Sequence, residues 1–196
     1  MTPMSGTWVI VCGPSGAGKD TVLAWARVQL APRRDIVFAQ RLITRPAHPE
    51  SDHLPIDAEE FERRRAAGGF ALHWQAHGFQ YAIAQAYAAQ VAAGGTVVVN
   101  GSRAHLEGLR TQPLAPGGRL RAVQIVAPPT LLIERLHARQ RESAGAVAAR
   151  LARNERLRQV AADATIVNDR TPAEAGARLA AFIRVCAARS PAPAPA

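Results

Sequence analysis

The chain has 196 residues, 48% hydrophobic and 20% charged, which fits one soluble globular domain with a full core. A net charge of +9 raises nucleic acid as a partner, but aromatics are only 5% and no basic tract exceeds Arg63-Arg64-Arg65, so neither a base-stacking platform nor a basic arm is present. No leader pattern and no apolar run of about twenty residues appears, and the expectation is a cytoplasmic protein without nucleic-acid or membrane partners.

Thr7 to Cys12 is an unbroken β-favouring run, which predicts a buried strand. It leads into Gly13-Pro14-Ser15-Gly16-Ala17-Gly18-Lys19, whose lysine is the only one among 24 basic residues. A chain that uses arginine everywhere else keeps lysine where a compact ammonium is needed, not a planar fork. The spacing Gly-x-x-x-x-Gly-Lys is that of the P-loop: backbone N–H groups cradle phosphates and the lysine reaches the β- and γ-phosphates. A helix-like run follows from Thr21, so the loop joins a strand to a helix N-terminus, where anions are favoured. A glycine-rich turn with a chance lysine is the plain alternative, and the strand–loop–helix context argues against it. ATP is the expected ligand of Gly13, Pro14, Ser15, Gly16, Ala17, Gly18 and Lys19.

Further along, Ile36 to Thr44 predicts a second strand, ending at Arg45-Pro46, and Ala47 to Pro55 a polar loop. Asp57 to Ala67 predicts a short helix, with Asp57 as N-cap and Glu60 at capping-box spacing. Phe70 to Ala76 and Phe79 to Ile83 flank Gly78 as a hairpin. Ala84 to Ala93 predicts a helix that stops at Gly94-Gly95, and Thr96 to Val99 a buried strand leading into Asn100-Gly101-Ser102. Leu120 to Ala127 predicts a strand, and Pro128-Pro129 open a helix from Thr130 to Ala138. A polar stretch, Arg139 to Ala144, precedes a helix from Gly145 to Arg158. Ala164 to Asn168 is the last strand and Pro172 to Ala188 the last helix. The alternation reads as βαβ throughout: an α/β chain of three layers in the P-loop NTPase fold, with a mostly parallel sheet. It is expected to form one domain over residues 1–189, followed by a disordered Pro/Ala tail over 190–196. Within it, about 35–95 would be an acceptor-binding region carrying the small inserted hairpin, and about 135–155 a helical lid.

Phosphoryl transfer asks the protein for position and positive charge rather than covalent help. Arg41 and Arg45, on and just after the second predicted strand, are expected on opposite sides of the sheet's C-terminal edge, where open α/β folds bind ligands. Arg135 and Arg139 share a helix face, as do Arg150 and Arg153; a helix, a polar loop and a helix with arginines on both arms suit a lid over ATP. Each arginine alone reads as a solvated charge, but as a set in a P-loop chain Arg45, Arg139 and Arg150 are expected to act. His73 and His77 are four apart, yet they flank a hairpin and no third ligand matches, so a polar role at a substrate is favoured over zinc. Trp74 reads as hairpin core, and Cys12 and Cys186 as reduced, packed thiols. The position after a P-loop lysine is normally Ser or Thr, whose hydroxyl binds Mg²⁺. Here it is Asp20, while the strand Thr96 to Val99 carries no carboxylate. The expectation is that the Asp20 carboxylate reaches Mg²⁺, directly or through its water, with Thr21 nearby; capping of the helix by Asp20 is the alternative.

Over nearly its whole length the chain resembles the guanylate kinase family. The resemblance rests on the P-loop, Thr44-Arg45-Pro46, His77-Gly78-x-x-Tyr81, Asn100-Gly101, the Arg135/Arg139/Arg150 pattern and Val167-Asn168-Asp169. It departs where that family reads guanine: the expected acids fall at Leu72 and Val98, a hydroxyl at Ile83, and a second phosphate-binding arginine at His48. Leucine and valine would leave the guanine N–H donors buried without acceptors, so guanine is not the expected acceptor. Those departures, with Gly18-Lys19-Asp20-Thr21, His73-Trp74-Gln75-Ala76-His77-Gly78 and Val99-Asn100-Gly101-Ser102-Arg103, resemble the ribose 1,5-bisphosphate phosphokinases from Trp8 to about Phe182. The resemblance implies an ATP- and magnesium-dependent transferase that makes 5-phosphoribosyl 1-diphosphate (PRPP) in phosphonate metabolism. It makes Lys19, Arg139 and Arg150 the candidate catalytic residues, with Arg135 and Asn168 joining the P-loop, Asp20 and Thr21 at ATP. Arg41, Arg45, His48, His73, His77, Tyr81, Ser102 and Arg103 are candidates to hold the phosphorylated sugar. The alternatives are a guanylate or other nucleoside monophosphate kinase of relaxed specificity, and an inactive guanylate-kinase-like binding module, against which an intact P-loop argues.

Overall fold

The computed structural model describes residues 6–46, 52–76, 78–111, 114, 118–138 and 161–188. Of the sequence candidates, His48, His77, Arg139 and Arg150 lie outside the described residues, as do the predicted helix over 145–158 and the tail.

Five strands form the central sheet: β1 (Thr7–Cys12), β2 (Ile36–Phe38), β7 (Thr96–Asn100), β8 (Arg119–Val126) and β9 (Ala164–Val167). Their order is β2-β7-β1-β8-β9 and every pairing is parallel. Parallel strands covered on both faces read as continuous apolar runs, and every residue of β1 and β7 is buried. Val9, Val11, Val98, Val123 and Ile125 face one layer, where α1 (Lys19–Leu30) packs beside the C-terminal α6 (Pro172–Ala188). Trp8, Ile10, Val97 and Val99 face the other layer, which holds α3 (Ala86–Ala92), α4 (Arg103–Thr111) and one face of a second sheet. The three-layer α/β expectation holds.

The second sheet corrects the reading of uniform βαβ alternation. Its order is β4-β3-β6-β5, built from β3 (Arg41–Ile43), β4 (His53–Pro55), β5 (Phe70–Ala76) and β6 (Phe79–Ala84), with antiparallel β3–β6 and β5–β6 pairs. The single strand expected over Ile36 to Thr44 is therefore two strands in different sheets. The Ala39 N–H still donates to the Val98 carbonyl, and the next one, on Gln40, goes to the Tyr87 hydroxyl at 3.0 Å. Both halves have strand propensity, so the partner change, not the local sequence, divides them. The end of the loop expected over Ala47 to Pro55 is also a strand, β4, at the sheet edge where proline's missing donor costs nothing.

The hairpin of β5 and β6 forms as expected, with Gly78 at φ 77° in its turn. Helix α2 (Ala58–Ala66) starts as predicted: Asp57 accepts the Glu60 N–H at 2.7 Å, and Phe61 packs beneath against Leu42 and Ala82. Helix α4 was not among the predicted elements. Ser102 is its cap, accepting the His105 N–H at 3.1 Å, and Leu106 and Leu109 at i, i+3 supply its buried stripe.

Candidate active site

The P-loop leaves β1 at the C-terminal edge of the central sheet and enters α1 through Gly18, the helix N-cap, at φ 81°. Gly13 and Gly16 also have positive φ, 145° and 87°, so successive N–H groups turn inward as an anion nest requires. The Lys19 ammonium lies inside this curl and donates to the Gly13 and Pro14 carbonyls, both at 3.0 Å. Burial lowers its pKa to about 8; Asp20 opposes that fall and Arg41 adds to it.

Two distant segments close on the same loop. Asn168, at the end of β9, is buried and donates from Nδ2 to the Ala17 carbonyl at 2.8 Å. Arg135, on α5 (Pro129–Ala138), donates from Nη2 to the Asn168 carbonyl at 3.4 Å. A Cβ added to Gly18 would lie 2.5 Å from Asn168 Nδ2 and 3.7 Å from Arg135 Nη1. Arg135 Nη1 and Asn168 Oδ1 are buried without a hydrogen-bond partner among the described residues. An orphaned guanidinium N–H beside a nest of amides is what a bound polyphosphate would satisfy. The structure thus brings together the P-loop, Arg135 and Asn168, which the sequence singled out separately.

Asp20 follows in the first turn of α1. The N-cap of that helix is Gly18, which has no side chain, and Asp20 is the acid of the first turn, where the helix dipole favours an anion. Asp20 Oδ1 also accepts from Asn100 Nδ2 at 2.6 Å and lies 3.7 Å from Arg41 Nη2, while 63% of the side chain is exposed. Thr21 is exposed beside it. The Asn100 contact, from the end of β7, joins positions 80 residues apart, and no local pattern announces it.

The acceptor-region candidates divide. Arg41 and Arg45 do not follow a strand of the central sheet; they stand at and just beyond the two ends of β3 in the second sheet, and Arg41 reaches the C-terminal edge of the central sheet, 3.7 Å from Asp20. Arg45 lines a cleft of about 930 Å³ with Thr44, Asp57, Gln75, Phe79 and Gln80, and its guanidinium carbon is 5.8 Å from the Phe79 ring centroid. Tyr81 is buried, with its ring stacked on Trp74 at 5.3 Å and 12°. On its other side Trp74 stacks on His105 of α4, at 4.2 Å and 12°. Trp74 is hairpin core, as expected. Burial, with a smaller effect from His73, lowers His105 to about 4, so its imidazole stays neutral at pH 7. His73 pairs with Ala82, which belongs to the cluster under α2, so it faces away from Tyr81. Ser102 uses its hydroxyl as the α4 cap, and Arg103 is buried at the first position of that helix, its pKa lowered by burial.

No protein-family model matches the chain. A protein of Methylobacterium radiotolerans named ribose 1,5-bisphosphate phosphokinase PhnN is 46% identical over 183 residues, covering 93% of this chain and 100% of its own. The chain belongs to the ribose 1,5-bisphosphate phosphokinase family. A namesake from Acidiphilium cryptum is 44% identical over 185 residues, 94% of this chain and 96% of its own. In Azorhizobium caulinodans a bifunctional ribose 1,5-bisphosphokinase-thymidine phosphorylase matches 76% of this chain with 21% of its length, at 43% identity. Among solved structures, a guanylate kinase from Anaplasma phagocytophilum has the same fold, with TM-score 0.62 and 21% identity over 94% of this chain and 88% of its own.

Leu72 and Ile83 are buried in the apolar cluster that contains the Trp74 stack. Val98 faces the opposite layer, under α1 and α6. Positions 72 and 98, where the guanylate kinase resemblance places the acids of a guanine reader, therefore lie on different faces of the fold, and an aspartate at 98 would be a carboxylate in an apolar core.

The low Lys19 pKa carries a prediction. A polyphosphate favours the ammonium form and raises that pKa, so above about pH 8 nucleotide binding must draw a proton from solvent. ATP affinity should fall as pH rises through about 8, by up to about tenfold per pH unit. Calorimetry near pH 9 in buffers of different ionisation enthalpy should show uptake approaching one proton. Buffer-independent heats would contradict a buried, depressed lysine.

Proposed function

We propose that this chain transfers the γ-phosphoryl group of ATP to ribose 1,5-bisphosphate, yielding ADP and 5-phosphoribosyl 1-diphosphate. An oxygen of the 1-phosphate attacks the γ-phosphorus, and the bond to the β–γ bridging oxygen breaks, leaving that oxygen on ADP. The observation that carries the reading is the 46% identity to a named family member along that protein's whole length. The loop geometry supports it: an intact nest, the single lysine turned into it and an orphaned Arg135 N–H beside it. Phosphorus NMR of the product made from ATP and ribose 1,5-bisphosphate tests the reading, and the diphosphate must appear at C1.

In this scheme Lys19 and the P-loop amides hold the β- and γ-phosphates, Arg135 adds its Nη1 N–H to the ATP site, and Asn168 braces the loop through the Ala17 carbonyl. Arg139 and Arg150 meet the charge that spreads over the phosphoryl oxygens in the transition state. Arg41, Arg45, His48, His73, His77, Tyr81, Ser102 and Arg103 belong to the acceptor side, with His73 and Tyr81 on opposite faces of the hairpin and the Ser102 hydroxyl serving α4 first. The reaction is placed in the cytoplasm, as a step in phosphonate degradation. No helix among the described residues is long and apolar enough to cross a membrane.

Mg²⁺ is the proposed metal, held by the Asp20 carboxylate with Thr21 beside it. The donors suit a hard cation: Asp20 is an exposed carboxylate, and Asn100 Oδ1, on the side chain it bonds, is buried without a partner among the described residues. No cluster of three His, Cys, Asp or Glu exists among the described residues, which matches an ion that keeps several waters and takes phosphate oxygens. When bound, it would neutralise charge on the β- and γ-phosphates. Asp20→Asn and Asp20→Ser should raise the Mg²⁺ concentration for half-maximal rate and weaken Mg²⁺-supported ATP binding by equilibrium titration. The shift should be at least the about 10–100-fold that follows loss of a metal's supporting partner. A wild-type Mg²⁺ requirement and rate in either variant would sink the assignment.

A further inference from the structure

Arg41 opens β3 and Arg45 follows its end. Residues two apart on a strand share a face. Ile43, between the two arginines, pairs with Tyr81 and is packed in the inner cluster, so Arg41 sits on the inner face as well. Arg45 stands over Phe79, two residues before Tyr81 on β6, and so faces the same side. Four residues of extended chain span at most about 14 Å, and two long side chains on one face can close on a single small ligand.

The two ends are built differently. At the cleft end, Arg45 Nε is buried without a hydrogen-bond partner among the described residues. At the P-loop end, Arg41 is mostly covered, 16% exposed, and its Nη2 serves both carboxylates: Asp52 Oδ1 at 3.2 Å and Asp20 Oδ1 at 3.7 Å. Asp52 is anchored from its other oxygen by Arg27 at 3.5 Å. Of the five N–H donors of a guanidinium, those on Arg41 Nε and Nη1 have no partner among the described residues. Asp52 therefore aims Arg41 without using up its fork.

We infer that Arg41, held by Asp52, and Arg45 are two separate anion subsites, one for each phosphate of a bisphosphorylated sugar, and that acceptor selection depends on filling both. This rests on the acceptor proposed above. A sugar monophosphate would leave one guanidinium without its anion, and hydrogen bonds between charged groups are the ones whose loss is felt most. Asp52 is a positioning residue here, and it did not appear among the sequence candidates.

Calorimetric titration of ribose 1,5-bisphosphate, ribose 1-phosphate and ribose 5-phosphate against wild type, Arg41→Gln and Arg45→Gln tests the inference. Wild type should bind the bisphosphate at least about 100-fold more tightly than either monophosphate. Arg41→Gln should weaken the bisphosphate and one monophosphate by about 10-fold or more, leaving the other within about twofold, and Arg45→Gln should reverse the choice of monophosphate. Arg41→Lys and Arg45→Lys, which keep the charge without the fork, should show the same pattern with smaller losses. Weakening of the same monophosphate by both variants, or of none by Arg41→Gln, overturns the two-subsite inference. A wild-type protein that neither binds nor phosphorylates ribose 1,5-bisphosphate overturns the acceptor reading itself.

Discussion

Lys19→Ala is expected to lower turnover by about 10³-fold or more while leaving thermal unfolding near that of the wild type. The strand before the loop and the helix after it owe their stability to Val9, Val11, Val22, Leu23 and Ala26, all buried in one cluster and none dependent on the lysine. The ammonium, by contrast, is the cation turned into the nest, 3.0 Å from both the Gly13 and Pro14 carbonyls. Lys19→Arg should be severely impaired as well. A compact ammonium can sit inside the curl of the loop, whereas a planar guanidinium is wider and needs its donors in a fork. That asymmetry accounts for one lysine surviving among 23 arginines. Steady-state rates for the two variants check the point, and near-normal turnover of Lys19→Arg would remove the steric reason for the lone lysine.

The largest stability loss is expected for Gly13→Ala. Gly13 sits at φ 145°, and a Cβ there would lie 2.0 Å from the Ile125 carbonyl oxygen. That oxygen is backbone of β8, inside the central sheet, so it cannot move aside without breaking a parallel pair. Backbone strain and a hard clash combine, which is the kind of change that exceeds about 4 kcal/mol. Gly68→Ala is the control. Its φ of 68° is also positive, but nothing lies within 4 Å of the added carbon, so the cost should be only the about 1–2 kcal/mol of a left-handed residue. Urea unfolding of the two variants should separate them clearly. Equal midpoints would mean that the loop relaxes away from Ile125.

How much was legible from residues alone depends on whether the signal was local. The P-loop, the Asp57–Glu60 cap and the Gly78 hairpin are short patterns whose chemistry lies within a few residues, and all three form as read. Ile36 to Thr44 failed because two adjacent apolar stretches look like one strand until each finds its partner, β7 for one and β6 for the other. Helix α4 is weakly signalled in the sequence: Gly108 falls within it, and its start rests on Ser102 followed by apolar Leu106 and Leu109. The Arg135–Asn168 brace on the P-loop was indicated only through family resemblance, since 33 residues separate the pair. Asn100 against Asp20 had no sequence signal because the pairing of β1 with β7 brings the two together, and Asp52 against Arg41 and Trp74 against His105 had none because each needs the second sheet.

The same architecture supports the proposed sugar phosphate over a nucleotide as acceptor. Buried Leu72 and Ile83 offer no acceptor to a guanine N–H, and the Trp74 stack fills the space beside them. The most direct test is kcat/KM of the wild-type protein for ribose 1,5-bisphosphate and for GMP, with ATP and Mg²⁺ saturating. The account predicts a preference for ribose 1,5-bisphosphate of about 10³-fold or more, the expected penalty for burying two to three unpaired donors. A kcat/KM for GMP equal to or above that for ribose 1,5-bisphosphate would contradict it.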